Sequence, residues 1–281
     1  MLRVLSLILH FSFLTTPLFA EVISIDSLNQ VNLPATTNTL IFFDIDDTLI
    51  DSPTMLGSKM WRKHILEALP HNALNNWHDR LSLYLAEHYP ITTVEASTSL
   101  FIKELQQEGY AVYGLTARER NKWYDTPRSG IDQLTVTQLD AVDINFHQTL
   151  IFPSSIAVHQ NSEYFQGVLF ANTDLKGDFL KQVFAKATAL PENVVFIDDK
   201  LSQVESVSET LEALGIKADC YWYRAIEEKS SCFNPLLADI QLYYFMHLDL
   251  LIPDDEASHI AKNKPDFPWL ASLFKILQNE Y

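Results

Sequence analysis

Thr39-Leu40-Ile41-Phe42-Phe43-Asp44-Ile45-Asp46-Asp47-Thr48 places a short apolar, partly aromatic run directly before three carboxylates in four positions. A run without polar alternation reads as a strand buried on both faces, as in the middle of a parallel sheet. Carboxylates crowded at its end repel one another and resist burial unless a cation shares them, so the cluster points to a metal. A calcium loop of the EF-hand type counted from Asp44 needs Gly at its sixth position and Glu at its twelfth, where the chain has Leu49 and Met55. That reading fails. The alternative is an aspartate nucleophile with a second acid two residues on, placed just past the carboxyl end of a strand, where open α/β sheets assemble their sites.

Further runs of the same kind lie downstream. Tyr110 to Leu115 ends at Thr116, Asn193 to Ile197 ends at Asp198, and Ala218 to Tyr223 follows a helix-like stretch, Ser202 to Leu214, closed by Gly215. Helical spacing appears from Met60 to Leu69, from Leu74 to His88, and from Gly177 to Ala189. Thr92 to Glu95 fits a capping box for another helix through Gln107. Alternation from Ile151 to Ala171 suggests a hairpin around Asn161-Ser162, and Asn234-Pro235 suits the start of an apolar helix through about Leu251. A last amphipathic segment, Pro268 to Leu277, reads as docked on the core. Strands alternating with helices predict an α/β fold with a doubly wound parallel sheet.

Four chemistry-bearing positions fall at these predicted strand ends and helix starts. Asp44-x-Asp46-x-Thr48 resembles the first motif of the haloacid dehalogenase superfamily. Thr116, in Gly114-Leu115-Thr116-Ala117-Arg118, resembles the second, Lys176 before Gly177 the third, and Phe196-Ile197-Asp198-Asp199 the acidic fourth. The resemblance covers residues 38 to 224 in the superfamily's chain order and is nearest to secreted or pathogen-associated members of undefined substrate. An isolated member of this set would ordinarily be structural or solvated. The ordered combination carries the resemblance.

The resemblance implies a phosphatase of the acid-phosphatase type that hydrolyses a phosphomonoester through a phospho-aspartyl intermediate. Asp44 would be the nucleophile and Asp46 the general acid and base. Asp47, Thr116, Ala117 and Lys176 would bind the phosphate, with Thr116 and backbone N–H groups near Asp47 and Ala117 holding the transferring oxygens. Mg²⁺ would be held by Asp44, by the backbone carbonyl of Asp46 and by Asp198, with Asp199 close by or bonding through water. An acid at Asp46 separates phosphoryl transferases from the superfamily's ion pumps and dehalogenases. The chemistry is coherent without the family name: an anionic nucleophile meets a phosphate dianion only where metal and cation neutralise the repulsion.

Asp44 and Thr116 lie 116 − 44 = 72 residues apart, more than one crossover needs. Residues 53–89 are therefore expected to form a small helical cap, within a core of 21–52 and 90–233, followed by C-terminal helices over 234–281 packed on the core. The competing reading is a helical pair lying away from the site.

Composition sets outer limits. The 281 residues include 36 Asp+Glu against 20 Lys+Arg, a formal charge of −16, which argues against nucleic acid or an anionic membrane as partner. A small-molecule or protein phosphomonoester is compatible with that charge, because beyond about 8 Å a local cation outweighs the screened global field. Arg3, the apolar run from Val4 to Leu14, and Pro17-Leu18-Phe19-Ala20 read as an export signal over residues 1–20. The mature chain is thus expected to be periplasmic or secreted, without a membrane span. Cys220 and Cys232, 12 apart, suit either a small disulfide loop or two buried thiols. His64, His71 and His78 recur every seven residues but straddle Pro70, which favours surface histidines over a metal stripe. Arg118 and Arg120 suit either a substrate anion or a solvated helix start. Two other readings stay open: a non-catalytic exported binding protein on the same fold, and a phosphotransferase.

Overall fold

The structure, a computed structural model, describes residues 22–36, 38–68, 77–123, 126–146, 163–172 and 175–280. The expected export signal, the Asn161-Ser162 turn and His71 lie outside the described residues. In chain order the elements are β1 (Val22–Ile25), β2 (Thr39–Phe43), β3 (Ile50–Asp51), α1 (Lys59–Ala68), α2 (Trp77–His88), β4 (Thr92–Thr93), α3 (Thr98–Gln107) and β5 (Ala111–Thr116). There follow β6 (Lys122–Trp123), β7 (Thr126–Pro127), α4 (Ile131–Ala141), β8 (Tyr164–Phe165), β9 (Val168–Phe170), α5 (Lys176–Ala185), β10 (Asn193–Asp198) and α6 (Leu201–Ala213). The chain ends with β11 (Lys217–Tyr223), α7 (Ile226–Ser231), α8 (Pro235–Leu248), α9 (Asp254–Asn263) and α10 (Trp269–Glu280).

Seven strands form one sheet in the order β1-β11-β10-β2-β5-β9-β8. All neighbours run parallel except β8 and β9, so this is an α/β fold with a mostly parallel sheet. Successive side chains of a strand point to opposite faces, and β2 shows the result. Ile41 and Phe43 pack with Ile102 and Leu105 of α3 and Val136 and Leu139 of α4. Leu40 and Phe42 pack with Phe179, Leu180 and Val183 of α5 and with Val204 and Leu211 of α6. Both faces are covered, which is why the run carries no polar alternation. Burial of each such side chain contributes about 1.5–3 kcal/mol.

The register sets the site. Phe42 of β2 lies opposite Phe196 of β10 and Tyr113 of β5. The three central strands therefore end together, and Asp44 N–H extends the ladder to Ile197 O at 2.9 Å. On the far face α5 and α6 approach closely at Gly177, where an added Cβ would stand 2.1 Å from Ser206 O.

Between β3 and β4 the chain inserts α1 and α2. Leu56, Trp61, Ile65, Leu81 and Leu85 from this insertion share one apolar cluster with Ala238, Leu242 and Phe245 of α8 and Leu273 of α10. The terminal helices, expected on the core, thus bury these residues against the insertion. The sharp start of α8 is as expected: Asn234 accepts from Leu236 N–H at 3.0 Å and Pro235 takes the first helical position. The helix stops at Leu248, short of Leu251, because Asp249 turns into the left-handed region at φ 54°.

Several expectations are corrected. Thr92 does not cap a helix; Thr92 and Thr93 pair antiparallel with Asp51 and Ile50. The Glu95 carboxylate is taken by distant donors, Ser27 Oγ at 2.7 Å, Leu28 N–H at 2.7 Å and Tyr223 OH at 2.6 Å, so Thr98 starts α3 instead. Within the described residues the hairpin is β8–β9, turned by Gln166 and Gly167 at φ 45° and 86°, the positive pair that a tight two-residue turn demands. Strand β1, for which the sequence reading proposes no element, forms an edge of the sheet. The cysteines are both free thiols: Cys220 is buried in β11, where burial pushes it up to about 12, and Cys232 is exposed. His78 is buried against Asp79 at 3.1 Å and His64 meets Asp239 at 3.0 Å, so the histidines serve separate local pairs. No helix among the described residues is long and apolar enough to cross a membrane.

Candidate active site

Four chain segments converge at the carboxyl ends of the central strands. Asp44 follows β2, Thr116 closes β5, Asp198 closes β10, and Lys176 opens α5. All four are buried. Lys176 Nζ bridges two of the acids, donating to Asp44 Oδ1 and to Asp198 Oδ2, the latter at 2.6 Å. Thr48 Oγ1 donates to Asp44 Oδ2 at 3.2 Å and accepts from Asp199 N–H at 3.0 Å, which ties the first and last segments together. Lys200 N–H donates to Asp198 Oδ1 at 2.8 Å. Thr116 Oγ1 accepts from Arg118 N–H at 3.1 Å.

Burial dominates the electrostatics. It raises Asp44 despite the opposing pull of Lys176. Burial, then the like charges of Asp44 and Asp199, push Asp198 up to about 7 against the pull of Lys176. Burial, with Asp44 and Asp47, pushes Asp199 up to about 6. For Lys176 burial works downward, but Asp198 and Asp44 outweigh it and hold the ammonium charged. Oxygens of Asp44, Asp198 and Asp199 all lie within 4.8 Å of one another. This is an all-carboxylate donor set of the kind a hard divalent cation such as Mg²⁺ takes. Lys176 and Lys59 are its ion-pair partners among the described residues, so with all three carboxylates ionised one negative charge is left over for such a cation to neutralise.

Asp46 stands apart from that trio. Its carboxylate is clasped by Arg118 through Nε at 2.8 Å and a terminal nitrogen at 2.7 Å. The other terminal nitrogen is anchored on α4, at Thr135 Oγ1 (2.9 Å) and Gln138 Oε1 (2.7 Å). Burial works to raise Asp46, but Arg118 outweighs it and holds the carboxyl below its ordinary range. Arg120 meets Asp132. Asp47 sits in the left-handed region at φ 66°. Its N–H donates to Ile50 O at 2.8 Å inside the turn. Its carboxylate pairs with Arg62 of α1.

A cleft of about 400 Å³ opens beside these strand ends. Asp46, Ala117 and Arg118 line it from the core, and Trp61, Arg62, Leu85 and Tyr89 from the insertion. The inserted helices therefore wall the cleft. Helix α1 is also fastened to the carboxylate loops, by Arg62 on Asp47 and by Lys59 on Asp199 at 2.6 Å. Sequence reasoning missed these two cations. Their signal was modest: Lys59 and Arg62 stand one turn apart at the start of a helix.

Three relatives span most of this chain, each bearing the name "Putative outer membrane protein". The one from Chlamydia pneumoniae is 24% identical over 238 residues, covering 83% of this chain and 87% of its own. Those from Chlamydia trachomatis and Chlamydia muridarum are 23% and 22% identical, covering 90% and 82% of this chain and 96% and 85% of their own. No solved structure matches the chain. Residues 21–258 match the family described as "Protein of unknown function (DUF2608)", and the chain belongs to that family.

Proposed function

We propose that this chain is an exported, Mg²⁺-dependent phosphatase of the haloacid dehalogenase type, which hydrolyses a phosphomonoester through a phospho-aspartyl intermediate. The observation that carries the reading is the meeting of Asp44, Asp198, Asp199 and Lys176, from three strand or helix ends far apart in the chain, in one buried cluster at the carboxyl edge of a mostly parallel sheet. Asp44, Asp198 and Asp199 would hold the cation, which when bound draws negative charge off the phosphate oxygens. Export is supported by the names of the three Chlamydia relatives.

In this reading an Asp44 carboxylate oxygen attacks phosphorus as the bond to the leaving oxygen breaks, giving an acyl phosphate and an alcohol. Lys176 favours the ionised form of the nucleophile against the effect of burial and balances the incoming charge. Asp46 gives a proton to the leaving oxygen and later takes one from the water that cleaves the acyl phosphate, a role worth typically about 10²–10⁴-fold. Arg118 orients that carboxylate and suits its basic half; the acidic half requires the clasp to loosen. The clasp is also what favours a second reading, a binding protein that has kept the fold without turnover.

One experiment separates them. Phosphate release from a phosphomonoester panel is measured with and without Mg²⁺, for the purified chain and for Asp44→Asn. The phosphatase reading expects metal-dependent release that the substitution abolishes. Undiminished release from Asp44→Asn would remove the mechanism, and metal binding without turnover would favour the binding protein.

A further inference from the structure

We propose that the cleft accepts a phosphomonoester with an apolar body, aryl or alkyl, in preference to a sugar phosphate or a nucleotide. The inference rests on the phosphatase reading and concerns what surrounds the leaving group. The apolar part of the cleft wall comes from Trp61, Leu85, Tyr89, Ile91 and Trp123. A volume of about 400 Å³ holds a six-membered ring and its phosphate.

The hydroxyl, amide and guanidinium groups that line the cleft are already committed to the protein, and the charged side chains of Glu119, Lys122 and Lys200 line it as well. Ser82 Oγ donates to His78 O at 2.7 Å and accepts from Trp123 Nε1 at 3.1 Å. Gln138 gives its amide to Ala86 O at 3.0 Å and its carbonyl to Arg118 at 2.7 Å. The Tyr89 hydroxyl lies 2.8 Å from Thr54 Oγ1. Arg62 serves Asp47 and Gly57 O, and Asp51 is held by Lys229. Trp61 Nε1 and the second carboxylate oxygen of Asp51, Oδ1, have no hydrogen-bond partner, but both are buried out of contact with solvent.

A sugar hydroxyl or a base edge set against the apolar wall gives up water and finds hydroxyl and amide groups that are already paired. Each hydroxyl left unmatched costs on the order of tenfold in affinity. An apolar ring gives up nothing of the kind and gains burial against indole and aliphatic surface.

The test compares cyclohexylmethyl phosphate with glucose 6-phosphate. Both are primary alkyl phosphates on a six-membered ring, with leaving alcohols of similar reactivity, and they differ in the ring's oxygen and hydroxyls. Hydrolysis is followed with the purified full chain and Mg²⁺, alongside Trp123→Ala and Ile91→Ala. The expected result is a kcat/KM at least tenfold higher for cyclohexylmethyl phosphate, with the ratio narrowed through KM in whichever of the two variants folds. A ratio near one, a preference for glucose 6-phosphate, or a preference untouched in the variants overturns this inference and leaves the phosphatase reading standing. Failure to hydrolyse either ester or phenyl phosphate overturns the phosphatase reading, and this inference with it.

Discussion

Replacing Lys176 with methionine tests the electrostatic heart of the site without changing the length of the side chain much. The Lys176 side chain is 2% exposed and its ammonium is shared between Asp44 and Asp198, whose own side chains are 9% and 1% exposed. Removing one partner of a buried ion pair typically costs about 3–5 kcal/mol, because the remaining charge has neither water nor counterion. Here two carboxylates are stranded together, so the upper part of that range applies at neutral pH. Against a total stability of about 5–15 kcal/mol, the loss is a large share of what holds the domain. With a urea slope of about 2–3 kcal/mol/M, the unfolding midpoint falls by roughly 1–2 M. The loss shrinks on acidification. Burial already raises Asp44 and Asp198, and without the cation both rise further, so protons take over part of the neutralising role as pH falls from 7 to 5. Adding Asp198→Asn to Lys176→Met removes one stranded charge and recovers part of the midpoint. A Lys176→Met midpoint within 0.3 M of the parent (roughly 1 kcal/mol or less), or a loss that stays the same from pH 5 to pH 8, would refute the assignment of Lys176 as the buried counterion.

Other outcomes follow from named contacts. Asp198 and Asp199 are raised from an ordinary 3.8 to about 7 and about 6, so the native state keeps protons that the unfolded chain has released. Their contribution to metal-free stability is full below about pH 4 and lost as pH rises through 6 to 7, whereas a cation needs them bare. The rise in Tm on adding Mg²⁺ should therefore grow from pH 5 to pH 8, and a rise constant across that range contradicts the site. Gly177→Ala drives a Cβ to within 2.1 Å of Ser206 O and should lower stability by about 1–3 kcal/mol, seen as a Tm fall of roughly 3–10 °C. An unchanged Tm would mean that α5 and α6 are not so close. A thiol reagent should titrate Cys232 alone in the native protein and both cysteines after unfolding, since burial keeps Cys220 protonated and out of reach. Two fast-reacting native thiols would contradict the placement of β11.

The central sheet was legible because its strands are buried on both faces, and nothing but a continuous apolar run such as Leu40 to Phe43 satisfies that environment. The candidate site was legible for a related reason. In this topology the residue that ends each central strand is delivered to the same edge, so Asp44, Thr116 and Asp198 needed only strand assignments to be brought together. What escaped was decided by partners distant in sequence. The local pattern at Thr92 to Glu95 promised a helix cap, but Glu95 is used by Ser27, Leu28 and Tyr223. Arg118 looked as ready to meet a substrate as to sit in water, and instead clasps Asp46, a pairing across 72 residues that no local spacing encodes. Strand β1 is short and only partly buried, so its four residues lack the long apolar signature of the central strands.

The pairing of β1 with β11 joins Val22 to Cys220 and Ile25 to Tyr223, the first and the last strands among the described residues. On a ribosome, or emerging through a translocation pore, β1 must wait without its neighbour until β11 has been delivered. Because β11 is its one neighbour in the sheet, β1 cannot join the sheet before β11 is in place. A polypeptide stalled before Tyr223 would lack part of β11 and could not complete that pairing, leaving backbone donors and acceptors open to other chains.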